Sequence, residues 1–248
     1  ALGGPTCTLA RVYTLCLTDQ TRLKVILSAK ISPPEARRRS TQRPAMTPQW
    51  ITSLEDLHAL YGTPAKPAVA KVTPRLTPAY AAFIAASRFC ILSTVGPEGT
   101  DGSPRGDEGP VVTIHDEETL LLPDWKGNER IDSLRNILRD GRVSLIFLIP
   151  GSTTAIRVNG TARLTADAAQ RARFDRAGMQ PRSVIVIRIA EVYSQCARAL
   201  QRSALWSSGD QSQGLPSPGQ MLQDATAGAI DGASYDAERA TRAHLGWW

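Results

Sequence analysis

Phe89-Cys-Ile-Leu-Ser-Thr-Val95, followed by Gly96-Pro-Glu-Gly99, is the stretch on which the fold class turns. An apolar, β-prone run stops at a short turn rich in glycine and proline, which is how an antiparallel hairpin begins. The pattern recurs downstream. Pro110 to His115 and Thr119 to Pro123 flank the turn residues Asp116, Glu117 and Glu118. Arg142 to Ile149 reads as a buried strand, and Ser183 to Ala190 as the last long one. Residues 153–165 read as a strand interrupted at Asn159-Gly160, where glycine signals a bulge or tight bend. Strands joined mostly by turns predict an antiparallel β-barrel with peripheral helices, mainly β within the α+β class, not a parallel βαβ sheet. No Gly-x-Gly-x-x-Gly follows a strand and opens a helix, which disfavours a Rossmann dinucleotide site.

Helical signals lie around this core. Ser53-Leu-Glu-Asp56 has the spacing of a capping box, Leu54, Leu57, Leu60 and Tyr61 form a stripe, and Gly62 stops it. Residues 63–74 form a Pro- and Ala-rich linker. Thr77-Pro78 places an N-cap before a first-turn proline, predicting a helix to about Ser87. Further helices are expected over Glu129 to Leu138, closed by Gly141, and over Asp167 to Ala177. The tail opens as a Gly/Ser/Pro/Gln-rich loop over 207–219. Two short helices follow, at Gly219 to Ala227 and Tyr235 to His244.

The chain has 248 residues and a formal net charge of +6. Residues 1–45 hold eight cations and two acids, which accounts for the whole excess; the remainder carries 21 of each sign. The body is neutral, so the charge gives no reason to expect a nucleic-acid partner. No apolar run approaches the roughly 20 residues of a membrane helix, so no membrane partner is expected. Cys7, Cys16, Cys90 and Cys196 form no Cys-x-x-Cys pair, and His58, His115 and His244 lie far apart, which argues against a zinc site. A reducing cytosol suits this cysteine usage better than a disulfide-bonded context, hence a cytoplasmic protein. Cys90 sits in an apolar run and is expected to be buried; Cys196, with no histidine in its segment, likewise reads as a buried thiol and not a nucleophile.

Residues 1–45 lack periodicity and end in Arg37-Arg-Arg-Ser-Thr-Gln-Arg43. They read either as an Arg-rich targeting peptide or, the favoured alternative, as upstream translation before a true start at Met46. On both readings the extension is disordered and dispensable. Its deletion is expected to leave cofactor binding and melting temperature unchanged; a collapse of either would refute that.

Four segments carry the chemistry. Ser103-Pro-Arg-Gly-Asp107 follows a strand and a glycine-rich turn; Arg105 offers a five-donor fork, and Gly106 allows close backbone approach. Alone it would read as a solvated turn. Asp124-Trp-Lys-Gly-Asn-Glu-Arg130 changes that balance. Lys126, Gly127, Asn128 and Arg130 are placed directly before and within the first turn of a helix, where cations are unfavourable unless an anion offsets them. Ser133 and Asn136 add donors further along, while Arg135 reads as a solvated helix face. In Arg157-Val-Asn-Gly160, Arg157 and Asn159 share one face of a strand. An inward arginine in a barrel needs an anion or a carboxylate, with Asp107, Asp124 and Asp132 as structural candidates. Trp125 and Trp206 read as packing residues or as stacking partners for a planar cofactor. His115 is expected in solvent at a strand end, so no general acid or base is named. Gly-x-Ser-x-Gly, His-Glu-x-x-His and Walker patterns do not occur.

In order and spacing, these motifs resemble the pyridoxamine 5′-phosphate oxidase-like flavin-binding proteins. The likeness runs from about Leu76 to Trp206 and is greatest to a bacterial subgroup. That subgroup is marked by Ser-Pro-Arg-Gly-Asp (Ser103 to Asp107 here), by Gly-Asn-x-Arg-x-Asp-x-Leu-Arg-Asn (Gly127 to Asn136 here) and by Leu-Arg-Val-Asn-Gly (Ile156 to Gly160 here). Val192 to Leu200 and Arg202-Ser-Ala-Leu-Trp206 are similar to its C-terminal signature. Asp140-Gly141 stands where such proteins often have Asp-Pro, and the C-terminal pattern of true pyridoxamine phosphate oxidases is not evident. The resemblance implies a split β-barrel over 76–206, preceded by a helix and linker (46–75) and followed by a loop and short helices (207–248). It also implies a homodimer binding flavin mononucleotide (FMN) between subunits. Phosphate contacts would come from the Arg105 loop and from Lys126 to Ser133, with Arg202 and Trp206 approaching the flavin from one subunit or the other. The activity implied is an FMN-dependent oxidoreductase on a small molecule. A flavin sensor or carrier without turnover, or a deazaflavin- or haem-using member of the same barrel, is the alternative.

Overall fold

The computed structural model describes residues 48–242. The expectations for the 1–45 extension, Met46, Cys7, Cys16 and a last helix reaching His244 lie outside them. The described residues fall into two units that divide after Asp56. In the first, the Ser53 hydroxyl oxygen accepts the Asp56 N–H at 3.1 Å, capping the start of α1 (Leu54–Tyr61). In the second, Gly62 adopts a left-handed φ of 67° and donates its N–H to the His58 carbonyl at 2.8 Å, closing that helix. The linker is not wholly irregular: Pro67 at the first turn starts the five-residue α2 (Lys66–Ala70). Thr77 caps α3 (Pro78–Ala86) by accepting from the Tyr80 N–H.

Seven strands follow: β1 (Phe89–Gly96), β2 (Gly99–Gly106), β3 (Thr113–Asp116), β4 (Thr119–Asp124), β5 (Arg142–Leu148), β6 (Ala155–Thr165) and β7 (Ser183–Gln195). They form one antiparallel sheet in the order β2-β1-β5-β6-β7-β4-β3, curled around its apolar face as a split β-barrel. Alternation selects that face. Cys90 and Leu92 of β1, Leu145 and Phe147 of β5, Ile156 and Val158 of β6, and Ile185 and Ile187 of β7 point into one core. Ile84 of α3 and Ile137 of α4 (Asp132–Arg139) close over it. Each such side chain contributes roughly 1.5–3 kcal/mol through burial.

The interruption expected at Asn159-Gly160 is a β-bulge. Asn159 pairs with Glu191 but Gly160 pairs with Ile189, so β7 carries one extra residue. That residue returns the alternation to phase, and Val192 and Ile189, three apart, both face the core. A Cβ at Gly160 would stand 2.0 Å from the Arg188 carbonyl oxygen, so only glycine lets β7 cross this closely.

The structure departs from the sequence expectations in several places. Ser103 to Gly106 belong to β2 and not to a loop. Three glycines and a proline give β2 as a whole poor β-propensity, but pairing with β1 across the tight Gly96–Gly99 turn overrides it, and an edge strand tolerates Pro104. β3 is shorter than the expected strand, although Val111 and Val112 before it are buried. The short helix after β4 starts at Asp132, three residues later than expected. α5 spans only Ala168–Ala172, and α6 (Arg198–Arg202) was not anticipated. α7 (Pro218–Ala225) and α8 (Gly232–Arg242) follow in the tail. Among the described residues no helix is long and apolar enough to cross a membrane.

Candidate functional site

β2 lies at one edge of the sheet and the end of β4 near the other. The segment from Trp125 to Ile131 bridges the gap between β4 and α4. Two of its residues, Glu129 (φ 61°) and Ile131 (φ 52°), take left-handed backbone conformations. For a β-branched isoleucine this is a genuine outlier, tolerated only where the surroundings over-determine it. Ile131 is also the N-cap of α4, and its side chain has no oxygen with which to cap the helix. The first turn of α4 therefore has no side-chain cap.

These elements surround a cavity of about 990 Å³. Ser103, Arg105 and Gly106 line it from β2. Lys126, Gly127, Asn128 and Arg130 line it from the loop, and Ser133 from α4. Arg105 and Lys126, 21 positions apart, thus share one cavity. Gly127 has open space where a side chain would stand, and a Cβ at Gly106 would make only ordinary contacts, so packing requires neither glycine.

The electrostatics differ from a plain cationic cradle. Carboxylates on the wall outnumber cations six to four. Arg105 pairs with Asp124 at 2.5 Å, the side chains being 19% and 15% exposed. The buried Nε of Arg105 has no partner among the described residues. Arg130 pairs with Asp132 at 2.8 Å and is 76% exposed. It precedes the N-cap, so it is not in the first turn of the helix as expected, and the acid in that turn, Asp132, already complements the helix dipole. Arg182, which the sequence did not single out, pairs with Glu129 at 2.9 Å. Lys126 is exposed and has no ion pair among the described residues. The Ser133 hydroxyl is buried and donates to Asp101 Oδ2 at 2.6 Å. Asp107 accepts from Arg176 and, at 3.2 Å, from Trp125 Nε1.

Four expected site residues stand elsewhere. Asn136 Nδ2 donates to Thr94 Oγ1 at 3.1 Å, and its amide packs against Gly96 so tightly that a Cβ there would lie 2.2 Å from Asn136 Oδ1; its role is to seat α4 on β1. Arg157 is not inward. Alternation with the buried Ile156 and Val158 puts it on the other face of the sheet, where its guanidinium lies 5.4 Å from the centroid of the Tyr193 ring and its buried Nε has no partner among the described residues. None of Asp107, Asp124 and Asp132 reaches it; they serve Arg176, Arg105 and Arg130. Arg202 ends α6, and Trp206 donates its Nε1 to the Ser152 carbonyl at 2.8 Å; neither lines the cavity.

Of the thiols, Cys90 is buried as expected, and burial pushes its pKa up to about 12, so it is not a nucleophile. Cys196 is exposed, contrary to expectation, because the alternation that buries Val192 ends where β7 leaves the core. His115 is exposed beside Arg173.

Residues 76–196 match the family model described as pyridoxamine 5′-phosphate oxidase. No curated protein matches the chain. Solved structures similar to it include HupZ of Group A Streptococcus (18% identity, 49% of this chain and 94% of that one, TM-score 0.41). A candidate pyridoxamine 5′-phosphate oxidase of Lactobacillus delbrueckii is also similar (24%, 49% and 95%, TM-score 0.40). So is the FAD binding protein of Mycobacterium smegmatis (13%, 50% and 97%, TM-score 0.35). At these identities and TM-scores none of them transfers a ligand or a reaction to this chain.

Proposed function

Since the chain belongs, through residues 76–196, to the pyridoxamine 5′-phosphate oxidase family, we propose that it binds FMN, with the phosphate at the end of the cavity where Arg105 and Lys126 stand. The observation that carries this is their convergence on one cavity into which the uncapped start of α4 also opens. Arg105 would hold the phosphate through the part of its guanidinium that faces the cavity beside Asp124, Lys126 through its ammonium, and the first-turn N–H groups of α4 through the helix dipole. The hydroxyl of Ser103 adds a donor on the same wall. Asp124 orients Arg105, and Asp101 fixes the Ser133 hydroxyl. When bound, FMN supplies hydride or electron chemistry; the chain's task is to bind and orient it. On this reading the protein is an oxidoreductase acting on a small molecule.

A homodimer belongs to the same proposal. The sheet face opposite the core carries Ile91, Ile146, Arg157 and Tyr193 in one row across β1, β5, β6 and β7, with an arginine nitrogen buried but unsatisfied. A second copy on that face would cover this half-buried row. It would also give Arg202 and Trp206, which do not line the cavity of their own chain, a route to the partner's flavin.

The visible spectrum of the purified protein tests the cofactor. Flavin bands, retained on desalting, are expected, with flavin released on denaturation co-migrating with FMN. Haem bands, or no uptake of added FMN, would overturn the reading. Anaerobic reduction by NAD(P)H faster than that of free flavin is expected of an oxidoreductase. Tight binding without such reduction would make the protein a carrier.

A further inference from the structure

We propose that Arg176, which does not line the cavity, is a positioning residue for its phosphate end, acting through the Asp107 carboxylate; this rests on the flavin reading above. Asp107 is nearly enclosed, its side chain 2% exposed. It accepts from Arg176 Nη2, from Trp125 Nε1 at 3.2 Å and from the Gly109 N–H at 3.1 Å. The Arg176 guanidinium also lies over the Trp125 ring, 5.1 Å from its centroid. One carboxylate and one guanidinium therefore fasten the residue just past β2 to the first residue of the loop.

Those two residues flank the cations of the site. Arg105 is two positions before Asp107, and Lys126 directly follows Trp125. The separation of Arg105 and Lys126 is thus set by the Asp107–Arg176 pair together with the Arg105–Asp124 ion pair. Arg176 is itself held in place. It exchanges backbone hydrogen bonds with Met179 at 2.9 and 3.0 Å, across a turn in which Ala177 (φ 51°) and Gly178 (φ 86°) are left-handed. Removing its charge would leave an enclosed carboxylate without its counter-ion, which is strongly unfavourable. Asp107 would then draw water or shift, and the loop carrying Lys126 would lose its anchor. The consequence falls on the phosphate and not on the ring system of the ligand.

The test compares FMN with riboflavin, which has the same rings and no phosphate, by fluorescence titration of the full chain. Wild type is expected to prefer FMN. Arg176→Met is expected to weaken FMN binding about tenfold or more, the cost of one lost charge-assisted contact, while riboflavin affinity stays within about twofold. Arg176→Lys keeps a charge but neither the fork nor the planar stack, and should fall between the two. If the methionine variant does not fold, the lysine variant is read by the same ratio. Retention of the full wild-type preference in the folded variants would overturn the proposal alone, as would equal losses for both ligands. A wild type with no preference for FMN would overturn the phosphate reading and this proposal with it.

Discussion

Arg105→Met is expected to raise the dissociation constant for FMN about a hundredfold. A single charge-assisted hydrogen bond contributes roughly 1.5–3 kcal/mol, or about one to two powers of ten in affinity. Arg105 should fall at the upper end for a second reason. Its side chain is paired with Asp124, and both are largely withdrawn from solvent, so methionine would leave a bare carboxylate beside the phosphate position. That charge repels the dianion as well as failing to hold it. The double variant Arg105→Met, Asp124→Asn removes the repulsion and should recover part of the loss, which separates the two contributions. Fluorescence titration at fixed ionic strength provides the measurement. A single variant binding FMN within about threefold of wild type would show that the phosphate lies elsewhere.

Gly160→Ala is expected to be the most damaging small substitution in the sheet. The added methyl would meet the Arg188 carbonyl oxygen at 2.0 Å and the Ala190 nitrogen at 3.2 Å, all backbone atoms of β7. A flexible side chain could move aside; a paired strand cannot without breaking the bulge that returns Ile189 to the core. Overpacking of this kind costs roughly 3 kcal/mol or more, a fall in melting temperature of about 6–12 °C for a domain of this size. Alanine at Gly127, where nothing stands within 4 Å, is the matched control and should leave the melting temperature unchanged. A Gly160→Ala protein melting within about 2 °C of wild type would show that β6 and β7 are not locked as described.

How much of the site could be read from the chain depends on how local its causes are. Alternating apolar residues in β1, β5, β6 and β7 specify strands because a period of two needs no distant partner to be recognised. Thr77-Pro78 and Ser53 specify helix starts for the same reason, and Gly160 marked the bulge. The β2 segment could not be read this way. Its own preferences favour a turn, and only its ladder with β1 makes it a strand.

Within the site, the sequence by itself determined which residues could grip an anion: Arg105, Lys126 and the small residues around them. Only the tertiary structure decided how free those groups are. Whether a guanidinium is available depends on the carboxylates brought beside it, and Asp124, Asp107 and Asp132 found their arginines 19, 69 and two positions away. The face on which Arg157 stands, the removal of Asn136 to a packing role and the reach of Arg176 into the loop followed from the same cause. Ion pairing and burial are properties of neighbours in space, and chain order carries no record of them until the sheet has closed.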